Sequence, residues 1–237
     1  MAERALLDWV VPYIREDDGT LVVTGDLNIR EQALTELPDL TAVKVRGSFW
    51  CSNNALTTLK NAPRDVGGSY YCHGNQLTSL EYVPQVIKGH FMCHGNPLAS
   101  LKFAPKSVDG NFFCYQNQLT SLRGGPRKVG GDYWCGGNNL KSLQYAPHAI
   151  GGEFSCQRNR LTSLEHAPKE FKKLETDFGT FAAWNDVPEV LRLSTETRTF
   201  LTKRKERQLE HDARGATILE RQVRVRGPLR LKKGGMT

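Results

Sequence analysis

Apolar positions return along this chain every 21 residues, six times over, from Val45 to about Lys169. Each unit holds two apolar clusters. In the first, Phe49 and Cys51 are apolar in every copy (Tyr70, Phe91, Phe112, Tyr133 and Phe154 replace Phe49), with variable residues between them. Such alternation predicts a strand with one buried face. The second is a pair of leucines three apart, from Leu56 and Leu59 to Leu161 and Leu164. Cysteines keep the beat at Cys51, Cys72, Cys93, Cys114, Cys135 and Cys156; asparagines follow each by three, from Asn54 to Asn159, and prolines close each unit, from Pro63 to Pro168. A fixed period in this range predicts a solenoid, whose coils bury their apolar sides only by stacking on one another. Stacked strands predict a parallel sheet along one side, advancing roughly 4.8 Å per coil.

The flanks follow other patterns. Residues 2–15 predict a short amphipathic helix in which Leu6, Leu7, Trp9, Val10 and Ile14 seek cover, and Pro12 limits its regularity. Residues 1–20 then form an N-terminal capping helix and turn, and 21–170 the solenoid: one degenerate coil with Gln32 in the asparagine slot, then the six repeats from 45. Residues 171–193 predict a cap packed through Phe178, Phe181 and Trp184, with a short helix starting near Asp186 and Pro188. Residues 194–237 form a basic extension. Ser194 caps a charged helix of about 195–213 stopped by Gly215, and an alternating segment after it reads as an edge strand or a docking peptide.

The repeat, Val-Gly-Gly-x-Phe-x-Cys-x-x-Asn-x-Leu-Thr-Ser-Leu-x-x-Ala-Pro, resembles that of the leucine-rich-repeat family, in the variant found in bacterial and phage proteins. Phe49, Cys51, Asn54 and Leu56 occupy the matching positions of the first copy. The resemblance covers about 21–170 and implies a horseshoe or arc of α/β type with helical ends. It also implies a bacterial or phage inhibitor or adaptor, although fold alone names no target. Some secreted bacterial repeat proteins of this type carry a ubiquitin ligase domain with a nucleophilic cysteine. Here every cysteine lies in the ladder, so that activity is expected to be absent.

Composition narrows the classes. The net charge is +7, distributed as −5 over residues 1–44, +6 over 45–170 and +6 over 171–237. No apolar run spans a bilayer and the start lacks a signal-peptide layout, so a cytoplasmic location without membrane contact is expected. Cysteines repeating in one slot predict a buried apolar ladder rather than disulfides. The neighbours Cys72-His73 and Cys93-His94 point to opposite faces of a strand, so no metal or other cofactor is expected. The Gly-Gly pairs lack a following Lys-Ser/Thr, and no catalytic constellation stands out. The chain reads as a non-enzyme.

The outward strand positions carry the functional expectation. Trp50, Tyr71, Met92, Phe113 and Trp134 form a stripe about 20 Å long, bordered by Ser48, Ser69, His90, Asn111 and Asp132 on one side and by Ser52, His73, His94 and Tyr115 on the other. An aromatic stripe with a polar rim matches a protein-binding face, and the histidines offer either pH sensitivity or ordinary hydrogen bonds. Two other readings are open. The C-terminal extension or a second copy covers the stripe; or the stripe stacks bases while Lys203, Arg204, Lys205, Arg207, Arg224, Arg226 and Arg230 contact phosphate or another acidic surface. Lys60, Lys102, Arg123, Arg127, Lys128 and Lys141 fall on the opposite, loop-bearing side. Partner identity and oligomeric state are not legible.

Overall fold

The structure is a computed structural model that describes residues 2–9 and 11–226, with side chains as far as 214. The chain divides into two compact units, Met1–Arg192 and Leu193–Thr237.

The first unit is a parallel β-solenoid. Its longer sheet has nine strands and runs from Leu27–Asn28 through Phe49–Trp50, Tyr70–Tyr71, Phe91–Met92, Phe112–Phe113, Tyr133–Trp134 and Glu153–Ser155 to Lys173–Thr176. A hairpin strand, Gly179–Phe181, closes it antiparallel. Phe49 pairs in register with Tyr70, Phe112 with Phe91, and so on down the stack, so the 21-residue period is the coil itself. Phe49, Cys51 and their counterparts are fully buried, as the alternation requires. All six cysteines are free and buried.

Where one sheet was expected, there are three. Residues four to six before each Phe slot form two shorter parallel ladders, one of Leu21–Val23, Val43–Val45 and Asp65–Val66 and one of Val86–Ile87, Ser107–Val108 and Lys128–Val129. Isolated bridges extend the second of these to Ile150 and Glu170. The buried side chain of each coil here is Val45, Val66, Ile87, Val108, Val129 or Ile150. Between these short strands and the nine-stranded sheet the chain turns through glycine, because coils touch there backbone to backbone. A Cβ at Gly67 would lie 2.3 Å from Arg46 O, and one at Gly151 1.9 Å from Gly130 O.

The asparagines stitch coil to coil. Asn75 Nδ2 donates to Cys72 O of its own coil (3.1 Å) and Cys51 O of the preceding one (3.0 Å), and its Oδ1 accepts from Leu56 N (3.1 Å). Asn96, Asn117 and Asn138 repeat the pattern. At the open end Asp177 Oδ1 accepts from Arg158 N at 2.8 Å, the N–H that in earlier coils goes to a backbone carbonyl of the next coil, as Gly137 N does to Gln157 O.

The caps differ from expectation. The N-terminal helix α1 covers only Ala2–Asp8; after Pro12 the chain becomes a strand, Tyr13–Arg15, antiparallel to Leu21–Val23. Leu6 is fully buried and Trp9 packs on the core, but Leu7 and Ile14 are exposed, and Val10 lies outside the described residues. At the other end Phe181 and Trp184 pack against the core while Phe178 is exposed in the hairpin turn. Trp184–Asp186 is a single 3₁₀ turn, followed by α2 (Glu189–Arg192).

In the second unit α3 runs from Thr195 to Arg226, through the glycine expected to stop it. A glycine inside a helix costs only about 1 kcal/mol relative to alanine. The segment read as a possible strand is therefore helical up to Arg226, and residues 227–237 lie outside the described residues. Ser194 caps this helix, its Oγ accepting from Thr197 N at 3.1 Å.

Candidate functional site

The outward face of the nine-stranded sheet displays three parallel columns. In the column before the Phe slot, each side chain accepts the backbone N–H of its counterpart one coil later. Asp26 Oδ1 takes Ser48 N (2.7 Å), Ser48 Oγ takes Ser69 N (3.1 Å) and Ser69 Oγ takes His90 N (2.8 Å). His90 Nδ1 takes Asn111 N (3.0 Å), Asn111 Oδ1 takes Asp132 N (2.9 Å) and Asp132 Oδ1 takes Glu153 N (2.8 Å). His90 and Asp132, read from sequence as rim residues, thus also belong to a scaffold ladder. With Nδ1 accepting, His90 carries its proton on Nε2. The missed signal was functional, not chemical: serine, histidine, asparagine and aspartate share an acceptor close to the backbone.

The middle column is the aromatic stripe. Trp50 and Tyr71 stack with centroids 3.7 Å apart, and Phe113 and Trp134 at 4.4 Å. Met92 pairs with Tyr71 on one side and Phe113 on the other. Arg30 lies over the other face of the row's first ring, 5.7 Å from the Trp50 centroid. Tyr71 is only 8% exposed, because its neighbours cover its faces; the other four are partly buried.

The third column continues the stacking: His73 on His94 at 4.4 Å and His94 on Tyr115 at 4.2 Å. Tyr115 also meets Trp134, at 6.2 Å, which joins the two columns. Burial, and secondarily the charge of His73, pushes His94 down to about 4; burial alone lowers His73. Both imidazoles are therefore neutral near pH 7, and the face carries no histidine charge there. Burial also raises the Tyr115 phenol. Three ring nitrogens, His73 Nδ1, His94 Nδ1 and Trp134 Nε1, are buried without a hydrogen-bond partner in the protein, as is Ser52 Oγ. Each such group costs about 1–3 kcal/mol.

Ring faces are occupied by other rings, so the stripe presents mainly ring edges. That geometry suits apolar and edge-on contacts better than intercalating bases. Burial raises the thiols of the cysteine ladder well above their ordinary range, which leaves no reactive thiolate there. Among the described residues no cluster of three histidine, cysteine or acidic side chains could hold a metal, and no helix is long and apolar enough to cross a membrane.

The cationic candidates belong to the second unit or fall outside the described residues. Lys203, Arg204, Lys205 and Arg207 are exposed on α3 in the second unit, Arg224 and Arg226 fall in its last turn, and Arg230 lies outside the described residues. No family model, curated protein or solved structure matches the chain.

Proposed function

We propose that this protein is a non-catalytic recognition module that binds a protein partner through the aromatic face of its nine-stranded sheet. One observation carries the reading: stacked rings fill outward positions that the scaffold does not need. The core closes without them, because Phe49, Cys51 and their counterparts already fill it. Ser155 holds the same column in the sixth repeat, so a small polar residue there is compatible with the coil. Four rings and Met92 nevertheless occupy this column in five successive coils, and within and beside it ring nitrogens are left without partners. An apolar stripe beside polar borders is the composition of a protein-binding hot spot. The leucine-rich-repeat resemblance supports a role as an inhibitor or adaptor in a bacterial or phage-infected cytoplasm.

The test replaces Trp50 and Trp134 by serine, the residue of the sixth repeat. Capture of a cellular protein by the intact chain, lost in this variant while its thermal unfolding stays cooperative, supports the reading. Equal capture by both refutes it.

A further inference from the structure

A second row of rings lies off the sheet face, on the turn between the leucine pair and the proline of each coil. The residue two after the second leucine is Asn61, Tyr82, Phe103, Gly124, Tyr145 or His166, and its backbone is left-handed in all six coils, with φ from 66° to 90°. Such φ suits glycine or asparagine and is unfavourable for bulky side chains. Rings stand there all the same, and two point away from any core: Phe103 is 42% and Tyr145 52% exposed. An unfavourable backbone kept under an exposed ring points to a use for the ring.

Cations line the same edge. Lys106 and Arg127 stack one above the other, Arg127 N donating to Lys106 O at 2.9 Å. With Lys102, Arg123 and Lys128 they make five exposed cations, and no carboxylate occurs in 102–107 or 123–128. Lys102 Nζ sits 4.7 Å from the Phe103 ring centroid. Between Phe103 and Tyr145 the row is interrupted by Gly124, where a Cβ would come within 2.9 Å of Leu101 O. The two flanking coils are about 9.6 Å apart, two strand spacings. A planar ring entering midway would lie about 4.8 Å from each neighbour, inside the range of aromatic contacts.

We propose that this edge binds single-stranded nucleic acid, an unstacked base entering the gap at Gly124 while Lys106, Arg123, Arg127 and Lys128 take phosphates. An acidic peptide would satisfy the cations but leave the ring-lined gap unused, and a duplex keeps its bases stacked. The proposal stands independently of the sheet-face reading.

The test titrates the full chain with a short fluorescein-labelled oligothymidylate by anisotropy, at low and at physiological salt. Binding should weaken steeply with salt. Phe103→Ala with Tyr145→Ala should lower affinity by about tenfold or more with little change in salt slope. Lys106→Gln with Arg127→Gln should lower affinity and reduce that slope by about 1.4, two phosphate contacts' worth. The variant with Trp50 and Trp134 replaced by serine should bind the oligonucleotide normally. Unchanged affinity in either edge variant, equal binding of duplex or polyglutamate, or loss only when Lys203, Arg204, Lys205 and Arg207 become glutamine would overturn the assignment.

Discussion

Replacing Asn117 by alanine removes the buried side-chain link between two central coils. Its Nδ2 donates to Cys114 O at 3.0 Å and to Cys93 O at 3.2 Å, and its Oδ1 accepts from Leu98 N at 3.2 Å. The residue is 8% exposed, so water has little access to the groups left behind. These two carbonyls, Tyr115 O (3.3 Å) and one N–H lose this partner, and an unsatisfied buried group costs about 1–3 kcal/mol. With some relaxation of the turn, the loss should come to about 3–5 kcal/mol. Asn54 makes equivalent bonds to Cys51 O and Ile29 O but is only partly buried, so Asn54→Ala should cost about 1–2 kcal/mol. Asn117→Asp keeps the acceptor for Leu98 N but sets a carboxylate against three carbonyls, and should be no milder than alanine. Guanidinium unfolding followed by tryptophan fluorescence and far-ultraviolet dichroism measures all three. Because coils couple only to their neighbours, the Asn117 variants should also unfold less cooperatively, with a lower m-value. If Asn117→Ala costs less than about 1 kcal/mol, or no more than Asn54→Ala, the ladder does not hold the coils together as argued.

Two further outcomes follow from the same geometry. His94 titrates near 4 when folded against 6.5 when free, so the unfolded chain binds more protons between those values. Its contribution is complete above about pH 6.5 and is lost as the pH falls towards 4. The full difference corresponds to about 3 kcal/mol, and partial solvent screening reduces this to about 1–2 kcal/mol. His94→Phe keeps the stack and should remove that part of the acid destabilisation; an identical pH–stability curve for both proteins would contradict the assignment. Gly151→Ala forces a Cβ to within 1.9 Å of Gly130 O and should cost more than about 2 kcal/mol in denaturant unfolding, whereas Gly25→Ala, with nothing within 4 Å, should change stability by less than about 0.5 kcal/mol.

The amino-acid sequence by itself determined the coil and its polarity. A period of 21 fixed which residues stack, and alternation around Phe49 and Cys51 fixed which side chains enter the core, because strand geometry leaves adjacent residues no choice of face. The asparagine position and the Ser194 cap were legible for the same reason: one residue type recurred, or stood, where one local geometry needs it. Only the tertiary structure decided the rest. The two shorter sheets bury one repeated side chain per coil from Val66 on, Val66, Ile87, Val108, Val129 and Ile150, so no alternation marks those residues as strands. The ladder through Ser48, Ser69, His90, Asn111 and Asp132 uses different side chains for one task, so it leaves no repeated letter to read. Burial against neighbouring coils keeps His73 and His94 neutral near pH 7, where the sequence left pH sensitivity and ordinary hydrogen bonding both open. The left-handed turns beneath Phe103 and Tyr145 became visible only once backbone angles were known, because nothing in an aromatic residue's identity announces a positive φ.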